Sequence, residues 1–393
     1  MTVTELPLRT APTDRLRVLV VSESFLPQIN GVTNSVRRVL EHLAAEGHEA
    51  ELVAPTGPAT YAGFPITRAR SASLWFYRDF RIGLETRRRL RSVMQRFRPD
   101  VVHVASPATL GYQAVRVAAE LGIPTVAIYQ TDLVGFAQRY EQKYGLSGGA
   151  RAMAALTRKI HLQVDRTLVP STASLTQLDQ LGVPRTMLWP RGVDVEGFHP
   201  SRIDRELRRR LAPGGQVIVG YVGRLAAEKE LPLLIHLTRD DRYALVVVGG
   251  GPEEQRLRGL LPGAHFLGVL HGEELGAAYA SLDVFVHTGR HETFCQSAQE
   301  ALASGVPVVA PRSGGPVDIV NDGVTGLLYR PGDGEDLRRS VDFLAEDPVL
   351  RRTMGRSARI AVQGRSWTAI NQRLIDHYRE VIDDRLGRFR LTA

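Results

Sequence analysis

The chain has 393 residues, 43% of them hydrophobic and 23% charged, which is the composition of a globular protein of about two domains and excludes a disordered or collagen-like chain. Its single cysteine, Cys295, excludes an intramolecular disulfide and a cysteine-built structural zinc site. The net charge of +8 is local: between Arg68 and Arg98 ten arginines face two acids, a surplus as large as that of the whole chain. One basic segment favours a docking patch over a surface built to coat nucleic acid, so no specific nucleic-acid binding is expected. The opening MTVTELPLRTAPTDR lacks the apolar core of a signal peptide, and no run approaches the ~18 apolar residues of a membrane span. These features predict a cytoplasmic protein, peripheral on the inner face of the membrane at most, with a flexible terminus over 1–14.

Short apolar runs alternate with helix-like segments in two series. The first begins with the strand at 17–21, a helix at about 32–46 and a strand at 51–54. The basic helix at 85–98 follows, then strands at 100–104, 125–129, 166–169 and 187–189. The second begins with 217–222 and continues through 244–248, 265–267, 284–286 and 306–309; a last helix runs from about 367 to 384. Short continuous apolar runs are the mark of parallel strands buried on both faces. The pattern predicts an α/β protein of two Rossmann-like, doubly wound domains over 15–196 and 197–366, with the 367–393 helix packing back on the first. Ligands bind such sheets outside the carboxyl ends of the strands, so the cleft between the domains is the expected site.

The first βα turn, Ser22–Val32, holds one glycine, Gly31, and not the Gly-x-Gly-x-x-Gly of a dinucleotide site. Gly31 stands where a helix begins and reads equally as an anion-facing position or a turn glycine. In the second series, Gly223-Arg224-Leu225-Ala226-Ala227-Glu228-Lys229 follows a buried strand. Two cations at a helix entrance make a diphosphate clamp, and Lys229 is one of only three lysines. Val248-Gly249-Gly250-Gly251-Pro252 allows close approach of a ligand, or simply a tight turn. The densest signal is His291–Val309, with Glu292 in a loop and Glu300 two turns into the next helix. Carboxylates accept hydrogen bonds from sugar hydroxyls in pairs, so two of them here suit two polyols. His287 and His291 read as packing or hydrogen-bonding residues, because no third metal ligand accompanies them, and Cys295 reads as a small buried side chain. In the basic helix, Leu90, Val93, Met94 and Phe97 repeat at helical spacing. That stripe either faces the core or, with Trp75, Phe76, Tyr77 and the patch Arg87, Arg88, Arg89 and Arg91, lies on an anionic bilayer.

Together, Gly223-Arg224…Glu228-Lys229, Gly249–Pro252, Glu292-x7-Glu300 and Ala303-Ser304-Gly305-Val306-Pro307-Val308 resemble the retaining GT-B glycosyltransferases of family 4, and the likeness covers nearly the whole chain. The ETFCQ and YQTD strings carry a narrower resemblance, to the actinobacterial GDP-mannose-dependent α-mannosyltransferases of the phosphatidylinositol-mannoside and MgtA type. The resemblance implies that Arg224 and Lys229 bind the donor diphosphate, Glu292 the transferred sugar and Glu300 the nucleotide ribose. It implies backbone donors at Phe294, Cys295 and Gln296, base contacts near Val269, and donor contacts from Gly223, Gly250 and, in the first domain, Gly31. Gln130 stands where many members carry a histidine and cannot act as acid or base. No Asp-x-Asp string is present, so no metal cofactor is expected. The implied reaction is transfer of a hexose, most simply mannose from GDP-mannose, to a lipid or small polyol. A UDP-sugar donor with a natural-product acceptor is the alternative, and a non-catalytic sugar-nucleotide-binding scaffold is the reading from another class.

Overall fold

The computed structural model describes residues 14–392 apart from 29, 75–76, 84, 106, 146 and 239, so Trp75 and Phe76 lie outside the described residues. The chain divides into two compact units, 1–190 with 370–393, and 191–369. The divisions fall a few residues from the 196/197 and 366/367 boundaries read from the sequence.

Among the described residues the first unit holds ten strands: β1 (Arg17–Val21), β2 (Glu49–Ala54), β3 (Thr60–Tyr61), β4 (Phe64–Arg68), β5 (Ser71–Leu74), β6 (Tyr77–Gly83), β7 (Val101–Val104), β8 (Thr125–Ile128), β9 (Arg166–Val169) and β10 (Thr186–Leu188). Eight form one sheet in the order β10-β9-β8-β7-β1-β2-β4-β3, parallel but for the β3–β4 edge, while β5 and β6 pair separately. Alternate residues of β1 feed two cores. Val18 and Val20 join one with the first helix (Gly31–Ala45), and Leu19 and Val21 join the other with the helices Arg87–Phe97 and Thr109–Glu120. The last helix, Trp367–Thr392, lays Ile370, Leu374, Ile375, Tyr378, Val381 and Ile382 into the first of these cores. Trp189 Nε1 donates to the Ile370 carbonyl at 2.9 Å, and the Tyr378 hydroxyl meets His103 Nδ1 at 2.6 Å.

The basic helix resolves one open alternative. Leu90, Val93 and Met94 are buried in the second core and Phe97 packs against it, so this stripe has no apolar face left to insert into a bilayer. Much of the outward charge is paired: Arg87 and Arg91 with Glu120, Arg89 with Glu85 at 2.9 Å, and Arg96 with Glu51. Among the described residues no helix is long and apolar enough to cross a membrane.

The second unit holds β11 (Val217–Val222), β12 (Tyr243–Val248), β13 (His265–Gly268), β14 (Val284–Val286), β15 (Val308–Pro311) and β16 (Gly326–Tyr329). They form one parallel sheet in the order β13-β12-β11-β14-β15-β16. Chain order reverses between β11 and β14, and the loops leaving those neighbours open side by side at the carboxyl edge. That places the Gly223–Lys229 loop beside the His287–Glu292 loop, more than fifty residues away in sequence.

Candidate active site

The loop after β11 differs from its sequence reading in one respect. No α-helix begins at Lys229. A 3₁₀ turn spans Ala227–Lys229, Glu230 takes the left-handed conformation at φ 51°, and a second 3₁₀ segment covers Leu231–Leu237. Pro232 lacks the amide hydrogen that a helix would use there. Any cationic clamp therefore rests on the Arg224 and Lys229 side chains, with no α-helical dipole behind them. Arg224 is exposed, and its carbonyl accepts from the Tyr221 hydroxyl at 3.1 Å.

This loop is laced to the glycine run after β12. Leu225 N donates to the Gly250 carbonyl at 2.9 Å, Glu253 N to the Leu225 carbonyl at 3.0 Å, and Gly249 N to the Gly268 carbonyl at 2.7 Å. Gly249 sits at φ 131°, and a Cβ there would stand 1.9 Å from the Gly223 carbonyl oxygen. The glycines thus serve first to let two loops of this unit touch, and the helix after Pro252 starts only at Glu254. Gly249→Ala is expected to lower unfolding stability by about 2–3 kcal/mol, through backbone strain and a forced loop shift. Urea denaturation measures this, and a change below about 0.5 kcal/mol would show that the two loops are not packed this way.

The loop after β14 carries His287, Thr288, Arg290 and Glu292. Thr288 Oγ1 donates to the Lys229 carbonyl at 2.5 Å, and Arg290 Nε reaches both Glu230 carboxylate oxygens at 2.7 and 2.9 Å, so the two loops are tied twice. Gly315 N donates to the Glu292 carbonyl at 2.8 Å. Phe294 is buried, and Cys295, left-handed at φ 87°, precedes the helix Gln296–Ala303. Glu300 therefore lies just over one turn into that helix, not two, and it accepts from the Tyr279 hydroxyl at 3.0 Å.

Glu292 is the electrostatic centre. Its carboxylate pairs with Lys229 Nζ, and His287 Nε2 stands 3.2 Å from Glu292 Oε1. The Lys229 and Glu292 side chains are only 22% and 18% exposed, so water screens the pair weakly. Burial alone would push the Glu292 carboxyl up, but Lys229 and His287 outweigh it and hold it well below the usual carboxylate range. Burial opposes charge on Lys229 too, and Glu292 reverses this and raises its ammonium above the ordinary value. Burial would lower the His287 imidazole; Cys295 and Glu292 overcome that and push it up to about 9. Buried Arg191 is drawn down to about 10 by desolvation, partly offset by the field of Glu292. The result is an ionised carboxylate held between two cations.

Of the residues singled out in the sequence, this unit brings Glu292 and Lys229 into contact. It holds Gly223 and Arg224 on the adjoining loop, and Gly250 against Val269, which is 60% exposed. The Gln296 side chain donates from Nε2 to the Gly192 carbonyl at 3.0 Å, which leaves the expectation about its backbone untouched. Gly31 and Gln130 belong to the other unit. Gly31 opens the first helix behind Asn30, whose side chain accepts from Thr33 N at 2.9 Å, and the buried Gln130 donates to the Ala105 carbonyl. Sequence reasoning missed the closeness of His287 to Glu292, the Tyr279–Glu300 bond and the Arg290–Glu230 tie. It also missed Glu23, whose buried carboxylate accepts from Leu110 N, Gly111 N and Gly83 N at 2.6, 3.1 and 3.2 Å; burial pushes it up to about 7. A polar residue at or just past a strand's carboxyl end was the available signal for His287 and Glu23.

Residues 29–196 match the model of Glycosyltransferase Family 4, and residues 203–361 that of Glycosyl transferases group 1. The chain is 47% identical to the GDP-mannose-dependent alpha-mannosyltransferase of Mycobacterium tuberculosis, covering 93% of this chain and 97% of that one. It is 46% identical to the protein of that name from Mycolicibacterium smegmatis, over 96% and 100%. In structure it is similar to the sucrose-phosphate synthase of Thermosynechococcus elongatus, with a TM-score of 0.78 at 22% identity, covering 94% of this chain and 100% of that one. Two parallel Rossmann-like units, the matched family models and these relatives together lead to one conclusion: the chain belongs to glycosyltransferase family 4 and has the GT-B fold.

Proposed function

We propose that this enzyme transfers a mannosyl group from GDP-mannose, with retention of configuration, to a lipid or small polyol acceptor. The observation that carries the reading is the Glu292–Lys229 pair at the chain-order reversal of the second sheet, with Glu300 on the helix that follows. The names of relatives at 46–47% identity support the donor. Glu300, oriented by Tyr279, presents a carboxylate suited to ribose hydroxyls, and Glu292 one suited to the hexose. Lys229 and Arg224 stabilise charge developing on the departing diphosphate. Glu292 is a poor nucleophile and a poor base, because two neighbouring cations hold its electron pairs. That favours a front-face reaction in which the glycosidic C–O bond to the diphosphate breaks, the acceptor oxygen bonds to the same face of the sugar, and the acceptor proton passes to a donor phosphate oxygen.

The test is thermal stabilisation by GDP, UDP, ADP and their common hexose conjugates, compared at equal concentration. GDP-mannose is expected to raise the melting temperature most. A larger shift with a UDP-sugar would overturn the donor, and no shift with any of them would leave a protein without a nucleotide-sugar site.

A further inference from the structure

His287 contacts no donor group in the reading above, yet its Nε2 stands 3.2 Å from Glu292 Oε1. It follows β14 directly, its amide donates to the Val309 carbonyl at 2.9 Å, and its own carbonyl accepts from the Tyr329 hydroxyl at 3.2 Å, so its backbone is fixed from two sides. Its ring lies on that of Tyr221, with centroids 6.1 Å apart and planes 19° from parallel, and it is 2% exposed. Neither ring nitrogen makes a hydrogen bond of good geometry; Nε2 faces Glu292 Oε1 at 3.2 Å as an ion pair. A buried imidazole held so firmly within 3.2 Å of one carboxylate oxygen has a task connected with that carboxylate.

Lys229 faces two demands. It pairs with Glu292 here, and a donor diphosphate would claim the same ammonium. Once the diphosphate draws it away, a largely buried carboxylate with only the field of buried Arg191 to offset burial would be pushed toward protonation and would turn freely. We propose that His287 is a positioning residue that holds Glu292 ionised and fixes its Oε1 when Lys229 moves to the diphosphate, leaving Oε2 to accept from hexose hydroxyls. This rests on the donor reading above. The charged and titratable groups facing the pair are Lys229, Cys295, Arg191, Tyr221 and, beyond Lys229, Glu228. The role needs a protonated ring. With its folded value raised to about 9, the imidazolium is present below that pH and is lost as the pH rises through it.

Calorimetric affinities of the full chain for GDP-mannose and GDP test the assignment, measured from about pH 7.5 to 10, where the terminal phosphate that only GDP carries has already lost its second proton. Ionisation of the guanine is common to both ligands and cancels in their ratio. In the wild-type protein the preference for GDP-mannose over GDP is expected to hold to about pH 8 and to fall about tenfold by pH 10, as one close and weakly screened charge is lost. His287→Gln should show a preference about tenfold smaller and flat with pH, with GDP affinity within threefold of wild type; His287→Asn serves if the glutamine variant does not fold. A wild-type preference that stays flat to pH 10, or a His287 variant that keeps both the preference and its alkaline fall, overturns the assignment and leaves the donor reading standing. Failure of the wild-type protein to bind GDP-mannose at any pH removes both.

Discussion

Replacing Glu292 by glutamine is expected to reduce mannosyl transfer by at least a thousandfold while leaving affinity for GDP unchanged or tighter. The two effects separate because in the proposed reaction Glu292 does two opposite things. Toward the hexose it offers a carboxylate, and the amide that replaces it presents one acceptor and one donor, so a hydroxyl bond strengthened in the transition state is lost or reversed. Toward the diphosphate it competes, because it pairs with the Lys229 ammonium. Removing its charge frees Lys229 for phosphate but leaves Lys229 and His287 close together without their shared anion. Breaking a buried ion pair from one side costs about 3–5 kcal/mol, so the variant should also unfold at lower urea. Single-turnover transfer, GDP titration and urea denaturation give the three readouts. A glutamine variant with near wild-type transfer would remove Glu292 from the reacting centre. One that loses GDP binding in proportion to transfer would show that the carboxylate only holds the loop in place.

Lys229→Ala is expected to act in the reverse sense, weakening GDP about tenfold to a hundredfold and lowering transfer by more than that. One charge-assisted contact to phosphate corresponds to about 1.5–3 kcal/mol in the ground state. The same contact strengthens as charge collects on the leaving diphosphate, so the loss in kcat/KM exceeds the loss in binding. His287 should keep Glu292 ionised in this variant, which limits the fall in stability below that of Glu292→Gln. Titration with GDP and steady-state kinetics decide the matter. Affinity within twofold of wild type would leave Arg224 as the phosphate contact and make Lys229 a partner of Glu292 alone.

Much of the architecture was legible because its signals are local. Runs such as Val18–Val21 and Ala244–Val248 are apolar on successive residues, and only strands covered on both faces bury such runs. The Glu292-x7-Glu300 spacing and the rare Lys229 marked the site for a similar reason: each is conspicuous without its neighbours. What failed to show was any feature made by distant chain segments or by one backbone angle. Lys229 was assigned to a helix entrance, but the left-handed Glu230 and the proline two residues on turn the chain into 3₁₀ segments. The apolar stripe of the basic helix reads alike for a core and a bilayer, and its burial in one cluster with Leu110 and Val115 of the Thr109–Glu120 helix decides it.

The sequence by itself determined two parallel α/β units, the place of the basic segment, and which loops carry the cations and carboxylates, because hydrophobic period and residue type are written along the chain. The tertiary structure alone decided that Lys229 and His287 flank one carboxylate, that Tyr279 orients Glu300, and that the Gln296 side chain bonds the Gly192 carbonyl. The reason is the reversal of strand order between β11 and β14. It joins loops that no sequence spacing connects, and the weakly screened field between them sets which groups are charged.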